Sequence, residues 1–272
     1  MMKLAFIGGG NMAASLIGGL IADGYDPANI RVADVDAARL DRLSQQFGIQ
    51  VFDDAATAAQ QADTVVFSVK PQVLRSVVQD LASVIQTQKP LLLSIAAGIR
   101  TKDIERWTGT NATVVRAMPN TPAMVQCGAA ALFANQRVSE QQKQMAESIL
   151  RATGLVVWVQ DEAHMDIVTA LSGSGPAYFF RIMEAMEKAA VTLGLEQKSA
   201  QLLTLQTALG AAKLALESAD DVATLREGVT SPGGTTEQGL KVLNDNNIDG
   251  LVQEVIRAAY ERAIELADQL GE

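Results

Sequence analysis

Two stretches of this 272-residue sequence gather small residues and hydroxyls in patterns suited to holding anions. The first, Gly8-Gly9-Gly10-Asn11-Met12-Ala13, follows an apolar run and fits G-x-G-x-x-A. Between a strand and a helix, Gly8 permits a tight turn and Gly10 lets a pyrophosphate approach the backbone. Ala13 is small enough for close helix–strand packing, and the helix start at Asn11 and Met12 presents free N–H groups and a positive dipole end. A glycine-rich turn that binds nothing is the plain alternative. The second stretch, Ser231-Pro232-Gly233-Gly234-Thr235-Thr236, leads into a helical pattern. Its Gly233, Gly234 and Thr235 amides would cradle a carboxylate, with the Ser231 and Thr236 hydroxyls adding hydrogen bonds. An ordinary helix start capped by Thr235 or Thr236 explains the same residues.

Further candidates lie where predicted strands end. Asp34 stands about 20 residues past the glycine turn, where an acidic side chain accepts hydrogen bonds from an adenine ribose. That favours NAD, since a carboxylate repels the 2′-phosphate of NADP. Arg31 and Arg39 are close enough in sequence to offset it, and Asp34 could instead be a helix cap, a role for which Asp36 competes. Ser68-Val69-Lys70-Pro71 and the segment through Ala97 and Gly98 fall at the carboxyl edge of the sheet, where ligands of open α/β sheets bind. Lys70 could equally be a solvated side chain. Met118-Pro119-Asn120-Thr121-Pro122 is stiffened by two prolines, and a rigid turn is its alternative to a ligand-facing role for Asn120.

The elements that must position these residues alternate along the first half. Apolar runs at 3–7, 30–33, 64–69, 91–95, 114–117 and 154–159 are separated by helical patterns at 11–23, 36–47, after Pro71, and at 139–153. Near-continuous apolar strands of this kind belong to a parallel sheet covered on both faces. From Asp161 strand signals cease, and helices follow, broken at Ser172–Pro176, Gly194 and Ser231–Gly234. The sequence therefore predicts an α/β fold: an N-terminal Rossmann dinucleotide-binding domain over 1–160 and an all-helical domain over 161–272. Stripes at Leu202, Leu205, Leu209, Ala212 and Leu216, and at Val252, Val255, Ile256, Ala259 and Ala263, need partners. They pack either within the domain or against a second subunit.

Composition narrows the function classes. A formal charge of −9 argues against nucleic acid as a partner. One cysteine, Cys127, and no recognisable leader point to the cytoplasm, and no apolar run reaches the ~20 residues of a membrane span. With a single histidine, His164, the usual His/Cys metal clusters are excluded and a Ser-His-Asp or Cys-His hydrolase is disfavoured. His164 reads as a surface or capping residue.

Taken together the motifs resemble pyrroline-5-carboxylate reductase, over the whole chain and in order. Phe6–Met12, Val69–Pro71, Ile95–Gly98, Arg116–Pro122, Ser172–Tyr178 and Ser231–Thr236 all look like that family's segments. The resemblance implies reduction of a cyclic imine carboxylate to L-proline by NADPH or NADH. It also implies an interlocked homodimer that often assembles further, as in a decamer of five dimers. By it, Thr236 hydrogen-bonds the ring nitrogen, Ser231, Gly233, Gly234 and Thr235 hold the carboxylate, and Ser174–Pro176 lies near the nicotinamide. Chemistry agrees: a protonated iminium is already electrophilic, so orientation against the nicotinamide supplies most of the rate without His or Cys. The family often has a polar or small residue at the place of Asp34, which leaves its usual NADPH preference open here, as is a six-membered ring substrate. A β-hydroxyacid dehydrogenase is a rival, but its lysine–asparagine signature is absent, Lys188 being followed by Ala189, Ala190, Val191 and Thr192. A cofactor-binding regulatory protein without turnover is the other.

Overall fold

The computed structural model describes residues 2–272; Met1, the first residue of the expected 1–160 domain, lies outside the described residues. In chain order the first part runs β1 (Leu4–Ile7), α1 (Asn11–Ala22), β2 (Ile30–Ala33), α2 (Ala37–Phe47), β3 (Gln50–Phe52), α3 (Ala55–Ala59), β4 (Thr64–Phe67), α4 (Pro71–Asp80), α5 (Ala82–Gln88) and β5 (Leu91–Ser94). It continues through α6 (Thr101–Thr108), β6 (Thr113–Met118), β7 (Gly128–Ala134), α7 (Glu140–Arg151), β8 (Gly154–Trp158) and α8 (His164–Val168). After a π-helical turn at Thr169–Gly173 come α9 (Gly175–Thr192), α10 (Gln197–Glu217), α11 (Val222–Gly228), α12 (Thr235–Asp245) and α13 (Ile248–Gly271).

The strands form one eight-stranded sheet in the order β3-β2-β1-β4-β5-β6-β7-β8, parallel except where β6 meets β7. The first six strands follow the 3-2-1-4-5-6 order of a Rossmann fold, whose order reverses between β1 and β4. Every residue of β1, β4 and β5 is buried, because helices cover both faces and leave no solvent side for polar residues. One core layer joins Leu4, Phe6, Leu16 and Ile17 beneath α1; the other joins Ala5, Ile7, Leu74, Val78 and Ile85 beneath α4 and α5. The helix bounds are locally encoded. Asp36 accepts from the Arg39 N–H at 3.1 Å to cap α2, Gly48 ends it in the left-handed region, and Ser139 with Gln142 forms a capping box on α7.

By packing, the chain divides into two compact units. One runs to Ser174 and includes Ala258–Glu272; the other is Gly175–Arg257. Strands end at Trp158, near the 160 boundary drawn from sequence, but α8 and the π-helical turn stay with the sheet. Arg116 of β6, 2% exposed, explains this: its guanidinium lies 3.1 Å from Asp166 of α8 and 3.6 Å from Glu162. Glu162 in turn accepts from the Thr101 amide at 2.7 Å and the Thr101 hydroxyl at 2.8 Å. The helix break expected at Ser172–Pro176 is instead this π-helical turn leading into α9. Such turns recur at functional sites, and the 5-residue step leaves the Ser174 N–H on the Thr169 carbonyl at 2.9 Å.

Candidate functional site

The site is built at the carboxyl ends of β1, β2 and β4. Gly8 has φ +102°, and a Cβ there would sit 2.7 Å from the Ser68 carbonyl oxygen, so only glycine lets β1 end so close to β4. The Ser68 hydroxyl completes the seam, donating to the Gly8 carbonyl at 2.6 Å. Gly10 is different. Its backbone is ordinary, at φ −68°, and no atom lies within 4 Å of where its Cβ would be. It is the N-cap of α1 and offers no side-chain cap, so no side chain satisfies the first-turn amides, which stand at the positive end of the helix dipole. Ala13 itself is fully buried, as close helix–sheet packing requires.

Asp34 follows β2 with a side chain only 6% exposed. One carboxylate oxygen accepts from the Gly9 amide at 2.7 Å and from Arg39 Nη1 at 2.9 Å; the other accepts from the Asp36 amide at 2.9 Å. Burial pushes its carboxyl up, but the two amides and the Arg39 guanidinium outweigh this and hold it below the usual carboxylate range. Helix capping falls to Asp36. Asp34 instead braces the glycine turn and faces a groove of about 500 Å³ lined by Gly8, Gly10, Asp34, Arg39, Lys70 and Val73 among others. Ser68 and Val69 line it too, and Pro71 starts α4 beside it.

The remaining expected site residues have other uses on display. Gly98, at φ +74°, packs against Ala267 of α13, leaving Ala97 as the partly exposed residue of that turn. Asn120 spends its side chain on the protein: its Nδ2 donates to the Ser172 carbonyl at 3.0 Å and its Oδ1 accepts from the Ala129 amide at 2.9 Å. It thereby fastens the two-proline loop to the π-helical turn, where Met118 lies against Gly173. His164 is exposed, as a surface role requires.

In the second unit, Gly234 is the N-cap of α12 without a side-chain cap, so neither Thr235 nor Thr236 serves as one. Gly233 takes φ +72°, and its amide donates to the Glu237 carboxylate at 2.9 Å; the Gly234 amide donates to the Ser231 carbonyl at 2.9 Å. The cradle expected from three amides is thus only partly free. The Thr235 amide and the exposed Ser231 and Thr236 hydroxyls remain available.

Sequence reasoning missed Val35, Asp53, Ala55, Val73 and Val77, which also line the groove. Asp53 and Ala55 became placeable only with β3, a 3-residue strand whose alternation is too brief to read. The residues present fit a dinucleotide on three counts: the methyl-sized gap at Gly10, the uncapped amides of α1, and a carboxylate at the end of β2.

Residues 162–266 match a family model described as pyrroline-5-carboxylate reductase dimerisation, and residues 3–98 match one described as NADP oxidoreductase coenzyme F420-dependent. Pyrroline-5-carboxylate reductase of Pseudomonas aeruginosa is 49% identical over 270 residues, covering 99% of this chain and 98% of its own. That of Arabidopsis thaliana is 36% identical, covering 97% and 95%. Among solved structures, a pyrroline-5-carboxylate reductase from Coxiella burnetii superposes with a TM-score of 0.95 at 48% identity, covering 97% of this chain and 98% of its own. The Plasmodium falciparum pyrroline carboxylate reductase, solved with NADP bound, gives 0.86 at 28% identity over 98% of both chains.

Proposed function

The chain belongs to the pyrroline-5-carboxylate reductase family, and from that premise we propose how its own residues carry out the reaction. It is an NAD(P)H-dependent imine oxidoreductase that reduces 1-pyrroline-5-carboxylate to L-proline, the last step of proline biosynthesis. When bound, the reduced nicotinamide would supply the hydride that reduces the ring C=N bond. Gly8 shapes the turn, and Gly10 with the amides of Asn11, Met12 and Ala13 receives the pyrophosphate. Asp34 takes the adenine ribose, while Ser68, Val69, Lys70, Pro71 and Ala97 border the rest of the dinucleotide. Gly98 and Asn120 act beneath these, setting the backbone of their turns.

Thr236 orients the substrate: the protonated ring nitrogen donates its N–H to the threonine hydroxyl, while Ser231 and the Thr235 amide hold the carboxylate. Gly233 and Gly234 give the loop its shape. Because the iminium already carries its proton, no side chain needs to deliver one, and geometry supplies the rate. The single observation that supports this reading is the tight seam at Gly8 beside the open space at Gly10, at the start of a helix with no side-chain cap.

The protein is a homo-oligomer, and the large apolar side chains left exposed in Gly175–Arg257 fit that state. They include Phe179, Phe180 and Ile182 on α9 and Leu202, Leu209 and Leu216 on α10. We assign these faces to a homodimer, with a decamer of five dimers as the higher assembly. No helix among the described residues is long and apolar enough to cross a membrane. A free cysteine, Cys127, accords with placing the protein in the cytoplasm. Initial rates with NADH and NADPH in parallel, with pyrroline-5-carboxylate as substrate, test the function. Turnover with proline as product is expected; cofactor binding without turnover would support the regulatory reading instead.

A further inference from the structure

We infer that the corner between β2 and α2 selects NADH over NADPH, with Asp34 as the specificity-determining residue and Arg39 as its positioning partner. The inference rests on the dinucleotide reading of the groove given above. In a sheet of this order the adenine ribose lies at the end of β2, so a 2′-phosphate would bring a dianion to Asp34. That carboxylate cannot swing aside without orphaning the Gly9 and Asp36 amides it accepts from at 2.7 and 2.9 Å.

The two arginines that would offset it are committed elsewhere. Arg39 is held between Asp34 at 2.9 Å and Asp36 at 3.5 Å, with its stem near Gly9. A phosphate would have to compete with two carboxylates for one guanidinium. Arg31 donates to the Gln60 carbonyl at 2.6 Å and stacks 5.9 Å over Phe52, outside the groove lining. Lys70 follows β4, two strands over from β2, a backbone separation of about 10 Å. Asp53 adds a further carboxylate to the lining.

A ribose 2′-hydroxyl meets no such obstacle. The Asp34 oxygen that accepts from the Asp36 amide takes no other bond and keeps a lone pair for a hydroxyl donor. Asp34 is thus braced by the glycine turn on one side and open to a neutral diol on the other.

The test is direct titration of the unmodified protein with NADH and NADPH, followed by fluorescence of the reduced cofactor or by calorimetry, beside initial rates with each. NADH should bind at least about tenfold more tightly, because a phosphate facing a fixed carboxylate is repelled in a way a hydroxyl is not. Asp34→Ser should move the affinity ratio toward NADPH by about tenfold or more, and Arg39→Gln added to it should remove the NADPH affinity gained. Equal or tighter binding of NADPH by the unmodified protein overturns the inference without recourse to any variant. So does an unchanged ratio in a folded Asp34→Ser protein. The underlying reaction is judged separately: affinities in the expected order with no turnover of pyrroline-5-carboxylate would sustain the cofactor preference and sink the substrate.

Discussion

Gly8→Ala is expected to unfold or severely destabilise the protein, whereas Gly10→Ala, two residues away, is expected to leave the fold intact and weaken cofactor binding. At Gly8 an added methyl meets the Ser68 carbonyl oxygen at 2.7 Å and carbon at 2.8 Å, both backbone atoms at the carboxyl end of β4. It must also take φ +102°, a conformation alanine disfavours. Strain and clash together should cost ~3 kcal/mol or more, a large share of the stability of an ordinary domain. At Gly10 neither penalty exists, so stability should stay within about 0.5 kcal/mol of the parent. The methyl instead occupies the gap where the pyrophosphate approaches, and overpacking there should cost about 1–3 kcal/mol of binding, roughly ten- to a hundredfold in Kd. Urea denaturation and cofactor titration of both variants check the pair. A stable Gly8→Ala protein would contradict the seam, and a Gly10→Ala protein with parental affinity would remove the gap from the cofactor site.

Thr236→Ala is expected to lower kcat/KM for pyrroline-5-carboxylate by about a hundredfold while leaving the affinity for reduced cofactor unchanged. The hydroxyl is exposed in the isolated chain and makes no capping bond, so its removal should not disturb α12. Thr236→Ser, which keeps the oxygen, should recover most of the loss. Steady-state kinetics with parallel cofactor titrations decide the matter: full activity in the alanine variant would end the orienting role. Equal loss in both variants would assign the effect to loop shape instead. Glu237 already occupies the Gly233 amide, so the loop's geometry is held from within and the two variants can be compared on one backbone.

The parts of this molecule legible in the sequence were those with strong local codes. Continuous apolar runs such as Leu91–Ser94 and capped helices such as α7 were readable because burial on both faces and side-chain caps leave clear patterns. β7 was not, since Gly-Ala-Ala-Ala-Leu-Phe-Ala has weak strand propensity and is made a strand by pairing antiparallel to β6. The same divide runs through the site. Spacing placed Gly8, Gly10 and Asp34 at one sheet edge, where the groove brings them together. It could not tell that Asp34 braces Gly9 or that Asp36 takes the cap, because both choices depend on bonds across a turn. Nor could it tell that the Gly233 and Gly234 amides are engaged within their own loop. Gly98 and Asn120 show the limit most plainly: their positions near the sheet edge are set by sequence, but their contacts are with Ala267 and with the Ser172 carbonyl.

The most direct test of the account is isotope transfer. Reduced cofactor with both hydrogens of the reactive nicotinamide carbon replaced by deuterium is supplied with pyrroline-5-carboxylate, and the product is read by mass spectrometry and NMR. Direct hydride delivery within one site predicts proline with a single deuterium on the ring carbon adjacent to nitrogen and remote from the carboxylate. Unlabelled proline, or oxidised cofactor without proline, would contradict it.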